Sequence, residues 1–286
     1  MKKILKKSVN LLFNFFNVNF PVKINKRRFI IPTVGNIGLT NLFISEIWMV
    51  QILKNLININ EGAYIDVGAN IGQTLLKLRS VDEEMLYVGF EPNDACVFYM
   101  KRLIKKNRIK NTILLPCAIS NVNELLELNF FSNEDTNSSA SIIQNFRPDQ
   151  KIIKKEYIAC FTLAQIAKTI SFPRISILKI DVEGSEKEIL EQFKDLIIKD
   201  QPFIQVEILP VYNANYTDRL ERQQEIEKLL KNLNYTIFRV DYDEKTKVLN
   251  GLKEIETIEI HSDLTKCEYL MSPNNQKELI VAIFKK

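Results

Sequence analysis

The chain has 286 residues and a formal net charge of +4, with 46% hydrophobic and 26% charged residues. This length and composition suit one sizeable globular α/β domain or two small ones. The four cysteines, Cys96, Cys117, Cys160 and Cys267, form no C-x-x-C pair. Their spacing argues against a zinc site or a disulfide framework and favours reduced thiols in a cytoplasmic protein.

Positive charge is concentrated at the N-terminus. Residues 1–30 contain eight lysines and arginines and no acid, so the net charge of +4 leaves −4 for the rest of the chain. The body of the protein therefore gives no sign of a broad nucleic-acid-binding face, and we expect no nucleic-acid partner.

Residues 1–42 are predicted to form a basic amphipathic N-terminal arm. The segment MKKILKKSVNLLFNFFNVNF interleaves lysines with Leu, Val and Phe. Asparagines interrupt its apolar run, and no small-residue cleavage site follows, which argues against a signal peptide. One interpretation is a helix lying on the anionic inner face of the cytoplasmic membrane. The alternative, which we favour slightly, is a helix packed on the domain or on a second subunit.

The remainder, residues 43–286, alternates strands and helices and is predicted to be one α/β domain with a mainly parallel sheet and helices on both faces. Two late strands without a long helix between them indicate an antiparallel pair at one edge of the sheet. Helices are predicted at 43–57, 73–80, 94–106, 163–169, 187–198 and 218–233, with a short closing helix. Strands are predicted at 64–65, 85–92, 112–120, 125–131, 157–161, 175–181, 202–209, 235–243 and 267–272.

The stretch YIDVGANIGQT carries the strongest functional signal. It follows an apolar run and contains Asp66, Gly68, Asn70 and Gly72. The carboxyl end of a strand is where α/β sheets bind ligands. A dinucleotide site more typically reads G-x-G-x-x-G, because the second glycine admits a pyrophosphate. Asn70 stands at that second position, so the sequence favours a ligand without a pyrophosphate.

Two acids narrow the choice of ligand. Asp66, at the end of the first strand, would repel a phosphate but suits a cation or an ammonium group. Glu91, at the end of the next strand, can accept hydrogen bonds from both hydroxyls of a ribose. A nucleoside with a positively charged, amino-acid-bearing substituent fits both acids, and S-adenosylmethionine is such a molecule.

Four segments in this order and spacing resemble the FkbM family of S-adenosylmethionine-dependent methyltransferases: DVGANIGQT, GFEPND, CAIS and LKIDVEGSE. The resemblance covers roughly residues 66–207, and the combination is far more specific than any one segment. It implies a Rossmann-like class I methyltransferase fold, with a seven-stranded sheet that ends in an antiparallel strand.

The resemblance also implies roles for individual residues. The methionine end of the cofactor would be lined by Asp66, Gly68, Asn70, Gly72 and Gln73, with Asp181 beside it. Glu91 would hold the ribose, and Ala118 and Ser120 would lie near the adenine. The segment SSAS at 138–141 resembles the serine pair of the family's loop over the cofactor. One departure is Thr162-Leu163-Ala164, where the family usually has Thr-Leu-Asp.

The family's usual chemistry is O-methylation, for which an enzyme aligns the acceptor oxygen with the methyl group and removes the oxygen's proton. General-base catalysis typically adds about 10²- to 10⁴-fold to such a reaction. The best candidates are Asp181 and Glu183, two neighbouring carboxyls at the end of a strand, and then Glu207 at the end of the next strand. The only histidine, His261, lies outside the motifs, and we predict no metal site.

The polar stretch 132–156 is long for a connection in a compact domain and is interpreted either as a lid over the acceptor or as a mobile surface loop. Family members are often associated with sugars of bacterial polysaccharides, glycolipids or antibiotics, so the predicted acceptor is a sugar hydroxyl. Two other functions stay open: an NAD-dependent oxidoreductase on a similar sheet, and a cofactor-binding partner subunit without transfer activity.

Overall fold

The structure is a computed structural model, and it describes residues 17–43, 45–136, 138–144, 146–147 and 149–285. In chain order the strands are β1 (Asn19–Ile24), β2 (Arg27–Pro32), β3 (Ala63–Val67), β4 (Tyr87–Phe90), β5 (Thr112–Leu115), β6 (Ala118–Ile119), β7 (Glu124–Phe130), β8 (Lys154–Phe161), β9 (Ile175–Ile180), β10 (Phe203–Glu207), β11 (Tyr235–Tyr242), β12 (Leu249–Ile255) and β13 (Glu268–Pro273). The α-helices are α1 (Ile47–Leu56), α2 (Gln73–Arg79), α3 (Asp94–Asn107), α4 (Leu163–Ala167), α5 (Glu186–Gln192), α6 (Lys194–Asp200), α7 (Thr217–Asn232) and α8 (Lys277–Phe284).

The main sheet of the described chain has eight strands in the order β12-β11-β13-β10-β9-β3-β4-β5. Strands β5, β4, β3, β9 and β10 run parallel, and β13 lies antiparallel between β10 and β11. This arrangement confirms the predicted Rossmann-like class I fold.

The sheet has one strand more than predicted. The eighth strand, β12, pairs antiparallel with β11 at the edge of the sheet. Its sequence, LNGLKEI, contains a glycine and charged residues that disfavour strands, so pairing with β11 determines its conformation. In addition, the antiparallel strand β13 lies inside the sheet order, with β11 and β12 beyond it.

Helices cover both faces of the sheet because alternate residues of each buried strand point to opposite sides. On β3, for example, Ile65 belongs to one hydrophobic cluster and Tyr64 to the other. The first cluster receives Ile189, Ile197 and Ile226 from α5, α6 and α7. The second receives apolar side chains of α1, α2, α3 and α8, among them Trp48, Leu75, Met100 and Ile280. These two layers bury the parallel strands and fix the positions of their carboxyl ends.

Two predicted elements are divided in the structure. The single strand predicted at 112–120 is two strands, β5 and β6, because the chain leaves the main sheet at Pro116, a residue that has no N–H to donate. β6 instead joins β7 and β8 in a separate three-stranded sheet. Likewise, the helix predicted at 187–198 is two helices, α5 and α6, which meet at the buried Phe193.

The N-terminal part of the described chain forms an antiparallel hairpin, β1–β2. Its inner side chains Ile24, Phe29 and Ile31 pack with Tyr99 and Leu103 of α3. The amphipathic helix predicted for residues 1–20 lies outside the described residues up to position 16, and Asn19 and Phe20 begin β1. No helix within the described ranges is long and apolar enough to span a membrane.

Candidate active site

The carboxyl ends of β3, β4, β9 and β10 open into two adjoining cavities. The first, here the apolar cavity, has about 750 Å³ of open space. The second, here the acidic cavity, has about 1020 Å³ and is lined by several carboxylates. Gly68, Asn70, Ser138, Asp181 and Glu183 line both, so the two cavities form one continuous site.

The turn after β3 brings the backbone close to β9. Gly68 has φ +88°, and a Cβ atom built on it would lie 1.8 Å from the backbone oxygen of Asp181. Asn70 also has a left-handed backbone, with φ +45°, and its Oδ1 accepts from Ile71 N at 2.8 Å. No side chain fits at position 68, and the turn therefore leaves its backbone open to the cavities.

Gly72 and Gln73 lie at the start of α2. Gly72 precedes the helix with φ +78° and lies against Leu103 of α3. It lines neither cavity. Gln73 lines the acidic cavity, and its Oε1 accepts from Ser45 Oγ at 3.3 Å. Of these two predicted cofactor residues, the structure brings Gln73 to the site.

Glu91 lies at the floor of the apolar cavity, directly after β4. Its Oε2 accepts from Asn70 N at 2.6 Å, and its Oε1 accepts from Asn93 N at 2.8 Å. Burial raises the pKa of Glu91 to about 7, although these two backbone hydrogen bonds oppose the rise. The carboxyl group is thus held in one orientation, with lone pairs left for a ligand.

The walls of the apolar cavity come from both sheets and from the loop at 138–144. They include Cys117, Ala118, Ile119, Leu128, Ala140, Ile142, Val182 and Ile189. Ala118 therefore lines the apolar cavity, and its contact with the adenine stays a prediction. Ser120 does not line the cavity: it is buried, and its N–H donates to the Phe161 oxygen at 3.0 Å, because β6 pairs there with β8.

Asp66 lies beneath the cavities and lines neither, and its contact with the cofactor stays a prediction. Its side chain is fully buried, and Tyr87 Oη donates to its Oδ2 at 2.6 Å. Its Oδ1 lies 3.5 Å from Lys179 Nζ. Since a strand alternates its faces, an acid inside β3 points into a helix layer and not out of the end of the sheet.

Lys179 is a site residue that the sequence analysis missed. Its Nζ lies 3.0 Å from Asp181 Oδ2 and also faces Asp66. Burial opposes its charge, but Asp181 and Asp66 together raise the pKa of Lys179 well above its usual value. A lysine inside the apolar run ISILKI was the available signal, because a buried strand seldom carries an unpaired cation.

Asp181, Glu183 and Glu207, the three predicted catalytic residues, all line the acidic cavity. Burial opposes ionisation of Asp181, but Lys179 and a hydrogen bond with Glu207 keep its pKa below the usual value. Burial, together with the charges of Asp181 and Glu268, raises the pKa of Glu207 well above the usual value. The surroundings of these two neighbouring carboxyls therefore drive their pKa values apart, that of Asp181 down and that of Glu207 up.

Glu183 has a different environment. Burial raises its pKa to about 7, and its ion pair with Arg147 moderates the rise. Its backbone is left-handed, with φ +54°, and its carbonyl accepts from Ser141 Oγ at 2.7 Å. Arg147 and Ser141 both belong to the long connection at 132–156, interpreted above either as a lid or as a mobile surface loop, and this connection touches the site directly.

Two positions mentioned in the sequence analysis lie away from the cavities. His261 lines neither, and its Nδ1 accepts from Asp263 N at 3.2 Å. Ala164, where the family usually has an acid, is an exposed residue of α4. The hydroxyl of the preceding Thr162 caps this helix by accepting from Gln165 N at 3.2 Å. Within the described ranges, no group of three or more His, Cys, Asp or Glu side chains could hold a metal ion.

This chain is similar to known proteins in sequence and in fold. The sequence profile of the family described as the methyltransferase FkbM domain matches residues 66–237. A curated relative, "Methyltransferase 1" of Beauveria bassiana (strain ARSEF 2860), is 22% identical over 145 residues. That match covers 46% of this chain and 58% of the relative, so the chain spans little more than half of the relative's length.

Among solved structures, this chain is similar to the methyltransferase FkbM from Methylobacillus flagellatus KT, at 14% identity and a TM-score of 0.44. The match covers 77% of this chain and 47% of the other. It is also similar to precorrin-6y C5,15-methyltransferase from Geobacter metallireducens GS-15, at 11% identity and a TM-score of 0.35. That second match covers 78% of this chain and 86% of the other.

Proposed function

The chain belongs to the family of FkbM methyltransferase domains, and from this premise we propose that it is an S-adenosylmethionine-dependent O-methyltransferase. The acceptor that we propose is a hydroxyl group of a sugar in a bacterial glycan, a glycolipid or a related natural product. We propose that it acts in the cytoplasm, at the inner face of the membrane, where lipid-linked glycans are made.

The observation that carries the proposal is the position of Glu91 in the lining of the apolar cavity. It offers a fixed carboxylate at the floor of an apolar cavity, which suits a nucleoside with its ribose hydroxyls on the acid and its base against the apolar walls. A dinucleotide would need backbone room at the position of Asn70 for its pyrophosphate. The side chain of Asn70 instead accepts from its own turn at Ile71 N.

The residues fit the rest of this cofactor as well. At Gly68 the turn approaches Asp181 so closely that a single added methyl group would overlap the Asp181 backbone oxygen, and Gly68 lines both cavities. Ser185 Oγ is buried at the edge of the apolar cavity without a hydrogen-bond partner among the described residues. When bound, S-adenosylmethionine supplies an electrophilic methyl group on a sulfonium.

The acidic cavity suits an acceptor with several hydroxyl groups. Its lining includes Thr40, Thr74 and Thr136 as well as carboxylates. A threonine hydroxyl can donate a hydrogen bond to a sugar hydroxyl or accept one from it, and a carboxylate can accept one. Asp181, held as a carboxylate by Lys179, orients the acceptor hydroxyl. Glu183, with a pKa of about 7, takes its proton, because a base works best when its pKa lies near the working pH.

Calorimetric titration tests the cofactor. We expect saturable binding of S-adenosylmethionine and S-adenosylhomocysteine, and at least 10-fold weaker binding to Glu91→Ala, since two hydrogen bonds to a charged group are lost. Glu221→Gln, an exposed acid on α7, is the matched control and should bind as the natural protein does. Binding of NAD in preference to both sulfur nucleosides would favour an oxidoreductase and overturn the proposal.

Methyl transfer to a panel of glycans and sugar derivatives tests the activity. Labelled methyl groups should appear on a hydroxyl oxygen, and Asp181→Asn and Glu183→Gln should each lower the rate by about 10²-fold or more while still binding the cofactor. Tight cofactor binding without transfer to any member of a broad panel would instead favour a non-catalytic partner subunit.

A further inference from the structure

A row of polar side chains crosses the buried part of the main sheet beneath the acidic cavity. In the strand registers Asp66 of β3 lies beside Lys179 of β9, and Lys179 lies beside Gln205 of β10. All three residues are buried. Tyr64 and Tyr87 lie two positions further from the carboxyl ends of β3 and β4, and their stacked rings have centres 6.2 Å apart. Charged groups are rare inside a sheet, so this row needs an explanation beyond packing.

Contacts in the row connect one of the tyrosines to the active site. Tyr87 Oη donates to Asp66 Oδ2 at 2.6 Å, and Asp66 Oδ1 lies 3.5 Å from Lys179 Nζ. Lys179 Nζ in turn donates to Asp181 Oδ2 at 3.0 Å. Lys179 and Asp181 line the acidic cavity, whereas Asp66 and Tyr87 lie beneath it. The ammonium group is therefore shared between a fully buried carboxyl and one that faces the cavity.

Both partners of Asp66 favour its ionised form. Burial raises the pKa of Asp66, and the charge of Lys179 and the hydrogen bond from Tyr87 oppose this rise. An ionised Asp66 attracts the ammonium away from Asp181, and the hydroxyl of Tyr87 keeps this carboxylate in one place. The distance between Lys179 and Asp181 thus depends on groups that never reach the cavity.

This sharing has a chemical consequence for Asp181. If the ammonium were bound to Asp181 alone, it would occupy the lone pairs that an acceptor hydroxyl needs. If the ammonium were absent, burial would favour the protonated acid, which accepts more weakly. A lysine held between two acids avoids both extremes, because Asp181 stays ionised and keeps lone pairs for the acceptor.

Other charged groups also face Asp181. Lys77 of α2 and a hydrogen bond with Glu207 help to keep its pKa low. Asp181 in turn raises the pKa values of four neighbouring acids, Glu91, Glu183, Glu207 and Glu268. Lys77 forms its ion pair with Glu46, so among the described residues Lys179 is the cation that contacts Asp181 directly.

We propose that Asp66 is a positioning residue for methyl transfer, which together with Tyr87 holds the Lys179 ammonium so that Asp181 stays ionised and open to the acceptor hydroxyl. This inference rests on the role proposed above for Asp181. The acid that begins the motif DVGANIG then serves the acceptor side of the reaction from beneath the cavity, and the affinity for the cofactor does not depend on it.

Carboxyl-carbon NMR of protein with isotope-labelled aspartate tests these contacts without any acceptor. The signal of Asp181 is identified by its loss in Asp181→Asn. The pKa of Asp181 should be below 3.8 in the natural protein and above 3.8 in Lys179→Met, because its nearest cation no longer opposes burial. Tyr87→Phe should raise this pKa by a smaller amount, since the freed Asp66 attracts the ammonium more strongly.

Lys179→Met leaves Asp66 as an unpaired buried acid and can therefore fail to fold. The double variant Asp66→Asn with Lys179→Met removes both buried charges, and the pKa of Asp181 should rise in it as well. Asp66→Asn alone should keep this pKa below 3.8, because Lys179 is still present. An Asp181 pKa that stays low in the double variant would overturn the proposal.

Rate measurements test the link to catalysis, with the acceptor that the glycan panel identifies. Tyr87→Phe and Asp66→Asn should each lower the rate of methyl transfer about 10-fold and leave the affinity for S-adenosylhomocysteine within about twofold. Tyr64→Phe is the matched control: it removes an equally buried hydroxyl, which donates to the uncharged Gln205 at 2.9 Å, and should keep the full rate.

Two results would contradict the positioning role. Equal losses of rate in Tyr64→Phe and Tyr87→Phe would show that these hydroxyls only stabilise the fold. An affinity for S-adenosylhomocysteine that falls 10-fold or more in Asp66→Asn would assign the acid to the cofactor. If the natural protein transferred no methyl group to any acceptor, the proposed function would fail, and the NMR titration would still decide whether Lys179 and Asp66 control Asp181.

Discussion

Gly68 and Gly35 share a left-handed backbone but differ in their surroundings. Gly35 has φ +57°, and a Cβ atom added there would meet no heavy atom within 4 Å, whereas a Cβ at Gly68 would overlap the Asp181 carbonyl. We expect Gly35→Ala to cost about 1 kcal/mol of unfolding free energy through its backbone conformation alone. Gly68→Ala should cost at least about 2 kcal/mol and abolish cofactor binding, because β3 and β9 must move apart.

Denaturant unfolding and calorimetry check this pair of substitutions. Gly35→Ala is the matched control and should retain full affinity for S-adenosylhomocysteine. If the two variants lost the same stability and both bound the nucleoside normally, the close approach of Gly68 to Asp181 would have no role in the site.

Glu91 should make cofactor binding depend on pH. Its pKa is about 7 in the ligand-free protein, and ribose hydroxyls that donate to the carboxylate would lower this pKa on binding. Binding then releases a proton, so the affinity for S-adenosylhomocysteine should rise with pH and level off above about pH 7. Glu91→Gln should bind at least 10-fold more weakly and lose most of this dependence.

Calorimetry in buffers of different ionisation enthalpy measures the released proton directly. An affinity that falls as the pH rises from about 5.5 to about 8 would contradict the role given to Glu91.

At the scale of single residues, sequence patterns predicted the parts of the site that backbone geometry dictates. Gly68, Asn70, Glu91 and Asp181 lie at strand ends, where position in the chain determines position in the sheet. The direction of the Asp66 side chain and the role of Lys179 depended on which face of a strand is buried. Which face is buried depends on the tertiary structure, and the apolar runs around these residues do not reveal it.

Among the larger elements, the connection between β7 and β8 is fastened to α7 and to the loop before it. Arg219 donates to the carbonyls of Phe146 and Pro210, and its guanidinium lies 4.4 Å from the centre of the Phe146 ring. Phe146 in turn packs over Gly184, next to Glu183. These contacts hold the connection against the segment that carries Glu183 and Gly184.

Arg219→Ala should therefore loosen this connection without unfolding the protein. The lost hydrogen bond and cation–π contact amount to about 1–2 kcal/mol, so amide exchange within residues 138–144 should speed up about 10-fold. Hydrogen exchange followed by mass spectrometry measures this rate. Lys228→Ala, on the same helix, is the control and should leave the exchange unchanged.

If Arg219→Ala exchanged at the natural rate in residues 138–144, the contacts with Phe146 would not restrain the connection. A large drop in Tm together with faster exchange throughout the protein would show global destabilisation. That result would also contradict a local restraint of the connection by Arg219.

Helices and strands whose apolar residues follow a clear pattern were predicted well. Elements that depend on pairing or packing with distant parts of the chain were not. The helix at 94–106 and the strand at 175–181 have continuous apolar patterns that match α3 and β9. Strand β12 has no such pattern, and only its register with β11 determines it. The predicted helix is divided at Phe193, a fully buried residue that ends α5 and precedes α6.

For the molecule as a whole, several buried carboxyls should make the ligand-free protein less stable as the pH rises. Burial raises the pKa values of Glu91, Glu183 and Glu186 to about 7 from an ordinary value of 4.5. The folded state therefore binds more protons than the unfolded chain, and stability present below about pH 4.5 is lost as the pH rises to about 7. We expect Tm to fall by roughly 5 °C between pH 5.5 and pH 8.

Glu186→Gln tests this expectation, because its neutral side chain still accepts from Gly184 N, a bond of 2.8 Å in the natural protein. Thermal unfolding at matched ionic strength should show a smaller loss of Tm with pH in this variant than in Glu221→Gln. A Tm that rises between pH 5.5 and pH 8 would contradict the direction of these pKa shifts.

Whole-chain charge gave an incomplete view of the surface. The sequence assigned the excess of lysine and arginine to residues 1–30 and a net negative charge to the remainder. Folding places Arg102, Lys105, Lys106 and Arg108 side by side and turns the acids of the active site toward the cavities. A count of charges cannot predict this separation, because it depends on which faces of α3 and of the strands are exposed.

The four cysteine thiols are all buried, and burial raises the pKa of each one. In the native state burial thus shields Cys96, Cys160 and Cys267 from alkylating reagents, and their raised pKa values disfavour the reactive thiolate. Cys117 differs from the others because it lies in the wall of the apolar cavity. The natural cysteines therefore serve as footprinting labels. Slow alkylation of Cys117 would report whether the apolar cavity is filled, and alkylation of Cys96, Cys160 and Cys267 would report unfolding of the chain.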